Sequence, residues 1–126
     1  MPPLDLRPRS FREKFWDAFR GLRLGSRGQS SFTVHVVFTL LVLGSGFVLH
    51  IGTSHWCLLI LCITIVLAAE FFNSALESLA KAVDEEPNQH IGAALDIASA
   101  AVLVTASGAA IVGLLILIPP LLRHFT

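Results

Sequence analysis

The chain has 126 residues, of which 54% are hydrophobic and only 14% are charged. Soluble domains carry about 25% charged residues, so this composition excludes a soluble enzyme, a nucleic-acid-binding module and a disulfide-stapled secreted domain, and it indicates one integral-membrane domain over residues 1–126. Nine basic residues balance nine acidic ones, but seven of the nine basic residues precede position 28, and the segments 28–69 and 97–122 contain no charged residue.

The first predicted element is an amphipathic helix at about residues 9–27. Its apolar face carries Phe11, Phe15, Phe19 and Leu22, which recur at helical spacing between basic residues. Such a helix lies in the membrane interface, with its aromatic face toward lipid and its basic face toward phosphate groups. The alternative is a plain basic anchor that only fixes the orientation of the chain.

Three transmembrane helices are predicted next, at about residues 34–51, 56–79 and 93–118. A Gly-Thr-Ser-His cluster at positions 52–55 separates the first two spans. An acidic loop that contains Pro87 separates the second span from the third. Pro119 and Pro120 are predicted to end the third span, because proline cannot donate a backbone hydrogen bond.

The basic N-terminal segment predicts the orientation of these spans. Lys and Arg residues next to a span are retained in the cytoplasm, so the N-terminus and the loop between the second and third spans are predicted to be cytoplasmic. We expect no cleavable signal peptide, because the first 33 residues contain no apolar stretch.

Three carboxylates, Glu70, Glu77 and Asp96, stand within or at the ends of predicted spans. A charge there costs about 2.5–3.5 kcal/mol, and an intramembrane acid is therefore a functional-site hypothesis by default. Asn73 shares a helical face with Glu70 and Glu77, at i, i+3 and i+7. Oxygen ligands at a cytoplasmic membrane edge suit Mg²⁺, and a carboxylate in apolar surroundings is a candidate general base. The alternative is a structural polar clamp between helices.

Two segments of the chain together resemble the signature of the prokaryotic diacylglycerol kinase family, which includes the undecaprenol kinases. They are EFFNSALE at positions 70–77 and ALDIASAAVL at positions 94–103. The resemblance covers about residues 15–113. It implies an all-α membrane protein, a surface helix followed by three spans, that works as a homotrimer with active sites shared between neighbouring subunits.

The resemblance also implies an activity: transfer of the γ-phosphoryl group of ATP, with Mg²⁺, to a lipid hydroxyl at the bacterial inner (cytoplasmic) membrane. Diacylglycerol, converted to phosphatidic acid, is the first expected acceptor and undecaprenol the second. By position, Glu70 matches the catalytic base of the family and Glu77 a Mg²⁺ ligand, whereas Asn73 and Asp96 match residues of the nucleotide site.

The chain departs from the family pattern at Gln29, Lys81 and Leu95. Gln29 occupies the position of a second metal-binding Glu, Lys81 that of an Asp, and Leu95 that of a Lys that contacts the ATP phosphates. In one interpretation Lys81 supplies the missing cation and binds the nucleotide. In the other, the chain is a non-catalytic relative that keeps the bundle, and Lys81 only pairs with Glu77 along the helix.

Two histidines of the first span, His35 and His50, lie near its ends. We interpret both as hydrogen-bonding residues of the membrane interface. A small transporter is a more distant alternative for the whole chain, because three spans with paired acids could also carry ions as an oligomer.

Overall fold

The computed structural model describes residues 6–26, 30–83 and 86–126. The described residues form four α-helices and no strand, which confirms the predicted all-α class. The helices are α1 (Phe11–Gly25), α2 (Ser30–Val48), α3 (Thr53–Val83) and α4 (Gln89–Phe125). Three of them, α2, α3 and α4, are long and apolar enough to cross a membrane.

Helix α1 begins at a capping box. The Ser10 side chain accepts a hydrogen bond from the Glu13 amide at 3.2 Å, and the Glu13 carboxylate accepts one from the Ser10 amide at 3.0 Å. The aromatic side chains of the helix are exposed, and its last residue, Gly25, lies against the ring of Phe71 in α3. A Cβ atom at Gly25 would lie 2.4 Å from that ring, so a glycine permits the close approach of α1 to α3.

A tight turn connects α2 to α3. The amide of His50 donates to the carbonyl of Phe47, and the amide of Ile51 donates to that of Gly46, the hydrogen-bond pair of a Schellman motif. His50 has φ 52°, the left-handed conformation that this motif requires. Gly46 is buried beneath the ring of Trp56, so the turn fixes how α2 lies on α3.

Helices α3 and α4 run antiparallel and form the main interface of the chain. Its buried apolar residues are Leu59 and Val66 on α3 and Ala98 and Ile116 on α4. With 31 residues, α3 is about 46 Å long, whereas the hydrocarbon core of a bilayer is about 30 Å thick. The end of α3 that carries Glu77 therefore extends toward or beyond the edge of the core.

The prediction that Pro119 and Pro120 end the third helix is wrong. Both prolines lie inside α4, which continues to Phe125. Proline fixes φ near the helical value, but each residue removes one hydrogen-bond donor and its ring crowds the carbonyl four residues earlier. Membrane helices tolerate this loss because the freed carbonyls find other partners.

Candidate active site

Glu70 lies on the face of α3 that meets α2, and its side chain is 1% exposed. Two α2 residues one turn apart approach its carboxylate. The hydroxyl of Ser31 donates to Oε2 at 3.4 Å, and Nε2 of His35 lies 2.9 Å from Oε1. The imidazole is close but lacks hydrogen-bond alignment, so Oε1 receives no hydrogen bond from the described residues. A buried polar atom of this kind calls for an explanation.

Asn73 and Glu77 continue the same face toward the end of α3. Asn73 is 7% exposed, and its Nδ2 donates to Oε1 of Glu77 at 2.9 Å. Oδ1 of Asn73 and the neighbouring Ser74 hydroxyl are buried with no hydrogen-bond partner among the described residues. One stripe of α3 therefore presents three buried oxygen atoms that make no hydrogen bond among the described residues, and atoms of this kind are candidates for contact with water, an ion or a ligand.

A cavity of about 730 Å³ lies between α1 and α3 beside this stripe. Its polar lining comes from Ser74, Glu77, Ser78 and Lys81. The volume is in the range of small-molecule and cofactor sites. Lys81 is exposed and lines the same cavity as Glu77, so a cation and a carboxylate face one space. We call this the α1–α3 cavity.

A second cavity of about 400 Å³ lies between α2, α3 and α4. Its walls are apolar or small, with Val66 from α3 and Ala106, Ala109 and Gly113 from α4 among them. His35 lines it too, so the residue that approaches Glu70 also faces this space. We call it the α2–α3–α4 cavity. Glu70 therefore lies where the polar stripe of α3 meets an apolar groove.

Asp96 is not brought to this stripe. It is exposed, whereas Leu95 is half-buried and Ala98 is buried against α3. Among the residues that the structure describes, Asp96 makes no hydrogen bond or ion pair with Glu70 or Glu77. In sequence Asp96 lies seven residues from the start of α4, which is level with Glu77 along antiparallel α3, but its side chain is on a different face.

The predicted metal position Gln29 lies outside the described residues. Within the described ranges, no three His, Cys, Asp or Glu side chains converge into a metal site. The oxygen atoms of Glu77 and Asn73 nevertheless fit Mg²⁺, which typically takes one or two carboxylates and completes its octahedron with substrate phosphates and water.

Comparison with known proteins bears on these features. The sequence profile of the prokaryotic diacylglycerol kinases matches residues 16–117. A diacylglycerol kinase of Synechocystis sp. is 32% identical over 106 residues, which cover 83% of this chain and 61% of that relative. The chain belongs to the prokaryotic diacylglycerol kinase family. It spans less than two thirds of the length of the Synechocystis relative.

This diacylglycerol kinase family member carries Glu70, Asn73 and Glu77 on one face of α3, as their spacing predicted. Ser31 was not predicted from the sequence, and His35 was interpreted as a residue of the membrane interface. The two residues lie one turn apart near the start of α2 and reach Glu70. Their i, i+4 spacing in a largely apolar helix was the available signal.

Replacing Glu70 with Met tests whether the carboxylate is a structural clamp. We expect the free energy of unfolding in detergent to be unchanged or higher by about 1 kcal/mol, because an apolar side chain of similar size removes the cost of burying the carboxylate. Thermal unfolding followed by circular dichroism measures it. The control Leu59→Ala, at a residue 2% exposed, is expected to lose about 2–5 kcal/mol. A comparable loss in the Met variant would favour the clamp.

Proposed function

We propose that this chain is an ATP- and Mg²⁺-dependent lipid kinase that phosphorylates a membrane lipid hydroxyl. The observation that supports it most is the buried Glu70 carboxylate. It lies on α3 between Val66, which lines the apolar cavity, and Phe71, which lines the cavity of Glu77 and Lys81. The cavity of Glu77 and Lys81 suits the charged phosphoryl donor, and the apolar cavity suits the hydrocarbon chains of the lipid acceptor. Diacylglycerol is the first acceptor, supported by the name of the Synechocystis relative, and undecaprenol is the second.

In the proposed reaction Glu70 is the general base. The lipid hydroxyl enters through the α2–α3–α4 cavity, and Glu70 accepts its proton as the hydroxyl oxygen forms a bond to the γ-phosphorus. The bond from that phosphorus to the bridging oxygen breaks, and ADP leaves. Phosphoryl transfer needs positioning and charge neutralisation more than covalent chemistry, and a membrane helix with a few polar side chains can provide both.

The donor is proposed to bind in the α1–α3 cavity. Glu77 and Oδ1 of Asn73 would hold Mg²⁺, with Gln29 at a second metal position and Asp96 at the nucleotide. The ion would neutralise charge on the phosphates of ATP. Asn73 would then have two tasks: its Nδ2 donates to Glu77, and its Oδ1, which is buried without a hydrogen bond among the described residues, is proposed to bind the ion.

Lys81 is proposed to bind the nucleotide phosphates in place of the family Lys that is Leu95 here. Leu95 has an apolar, half-buried side chain and cannot supply a positive charge. Lys81 carries one and lines the α1–α3 cavity. The alternative remains a non-catalytic relative that keeps the bundle.

A homotrimer is proposed because Asp96 is exposed on a long apolar helix. Within one subunit Asp96 does not reach the stripe of α3, and a neighbouring subunit would bring the two together. In this assembly Asp96 of one subunit completes the site on α3 of the next. The protein is proposed to span the bacterial inner membrane three times, with its N-terminus in the cytoplasm, since basic residues precede the first span.

Glu70→Gln tests the kinase proposal. Purified protein in lipid vesicles receives radiolabelled ATP, Mg²⁺ and either diacylglycerol or undecaprenol. We expect phosphorylated lipid from the unmodified chain, and a loss of about 100-fold or more in kcat for the variant, because an amide cannot accept the hydroxyl proton. The preferred acceptor is the one with the higher kcat/KM. Absence of product with both lipids would support the non-catalytic alternative.

Lys81→Gln tests the nucleotide role of Lys81. We expect KM for ATP to rise about tenfold or more, because a charge-assisted contact with phosphate contributes about 1.5–3 kcal/mol. Lys81→Arg should keep most of the affinity. Arg123→Gln, near the far end of α4, is the matched control and should leave KM unchanged. An unaltered KM for ATP in Lys81→Gln would contradict a contact between Lys81 and the nucleotide.

Mixed oligomers test the shared site. Glu70→Gln and Asp96→Asn subunits, each inactive alone, are combined at equal amounts in detergent and reconstituted. We expect about a quarter of the unmodified activity, because one in four neighbouring pairs joins an intact α3 to an intact Asp96. A mixture of Glu70→Gln with Glu77→Gln should stay inactive, since both changes fall on the same α3. No recovery in the first mixture would place Asp96 outside a shared site.

A further inference from the structure

We propose that His35 is a positioning residue for the catalytic base, a role that rests on the proposed function. Its imidazole holds the Glu70 carboxylate at the boundary between the polar stripe of α3 and the α2–α3–α4 cavity. The residue acts through Glu70 and does not bind the nucleotide.

The Glu70 carboxylate is approached from α2 at both of its oxygen atoms. Nε2 of His35 lies 2.9 Å from Oε1 of Glu70, and the hydroxyl of Ser31 lies 3.4 Å from Oε2. His35 and Ser31, one turn apart on α2, therefore each lie close to one of the two carboxylate oxygens of Glu70 on α3. Glu70 is 1% exposed and His35 is 19% exposed, so water provides little competing solvation at Oε1. The orientation of the base is set from α2.

His35 also faces the apolar cavity. It lines the α2–α3–α4 cavity together with Thr39 and Val66, so a hydroxyl group that arrives from this cavity meets His35 beside Glu70. The Thr39 hydroxyl donates to the His35 carbonyl at 2.7 Å, which adds a polar contact to the backbone at this turn of α2. The imidazole thus has the position needed to fix the base against an incoming acceptor.

Few charged groups surround the His35 imidazole. From α3, Glu70 contacts His35, and Cys62 lines the α2–α3–α4 cavity. The residues of α4 that line this cavity have no titratable side chain. Among the described residues Glu70 is therefore the one carboxylate that His35 contacts. None of the residues around the α1–α3 cavity comes from α2. Removing the imidazole should disturb Glu70 and leave the proposed ATP cavity intact.

His35→Leu and His35→Gln are compared in the reconstituted kinase assay. We expect His35→Leu to lower kcat by about 10- to 100-fold, since a base displaced by about 1 Å loses rate on that scale, while KM for ATP stays within about twofold. His35→Gln should recover part of kcat, because its amide nitrogen can reach the carboxylate. His55→Leu, an exposed histidine at the other end of α3, is the matched control and should behave as the unmodified chain.

A second comparison asks whether His35 acts through Glu70. In the Glu70→Gln background, His35→Leu should cause little further loss of the residual rate, because the group that it positions is already absent. Thermal unfolding and gel filtration accompany every variant, and His35→Ala replaces the Leu variant if the latter does not fold.

The outcomes separate the two proposals. An unchanged kcat in His35→Leu, a parallel rise of KM for ATP, or an equal loss in the Glu70→Gln background would overturn the role of His35 while the kinase proposal stands. An unmodified chain that phosphorylates neither diacylglycerol nor undecaprenol would overturn the kinase proposal and, with it, this one.

Discussion

The burial of one carboxylate is the constraint on which the rest of the structure depends. Glu70 stands in the middle of a membrane-length helix with 1% exposure, where an uncompensated charge costs several kcal/mol. The compensation comes from α2, through Ser31 and His35, and it is incomplete because Oε1 lacks a hydrogen-bond donor among the described residues. Helix α2 must therefore lie at a fixed height and rotation on α3. The packing of Gly46 beneath Trp56 at the α2–α3 turn provides that alignment.

The length and packing of α3 then divide the surroundings of Glu70 into two spaces. On the side of α1, the close approach of Gly25 to Phe71 leaves a cavity with polar walls that include Glu77 and Lys81. On the side of α2 and α4, small residues leave an apolar cavity. A reaction between a water-soluble donor and a lipid acceptor requires such a division, because each reactant is soluble in only one of the two phases.

The features that depend on a single helix could be predicted from the sequence. The stripe of Glu70, Asn73 and Glu77 follows from the helical period alone, and the spans follow from the absence of charge. Contacts between helices could not be predicted in this way. The pairing of His35 with Glu70 depends on the rotation of α2 against α3, which small residues at the contact determine. The continuation of α4 through Pro119 and Pro120 depends on an apolar environment that propensity rules do not include.

The unsatisfied atoms connect stability to function. Oδ1 of Asn73 and the Ser74 hydroxyl are buried on the stripe of α3 without a hydrogen bond among the described residues, and a buried polar atom without a partner costs about 1–3 kcal/mol. Oε1 of Glu70 is buried beside them, with the His35 imidazole as its neighbour. A helix selected only for stability would carry apolar residues at these positions. A ligand that binds the folded state and not the unfolded one stabilises the fold, so under the proposed function the polar atoms that cost stability are those that contact the reactants.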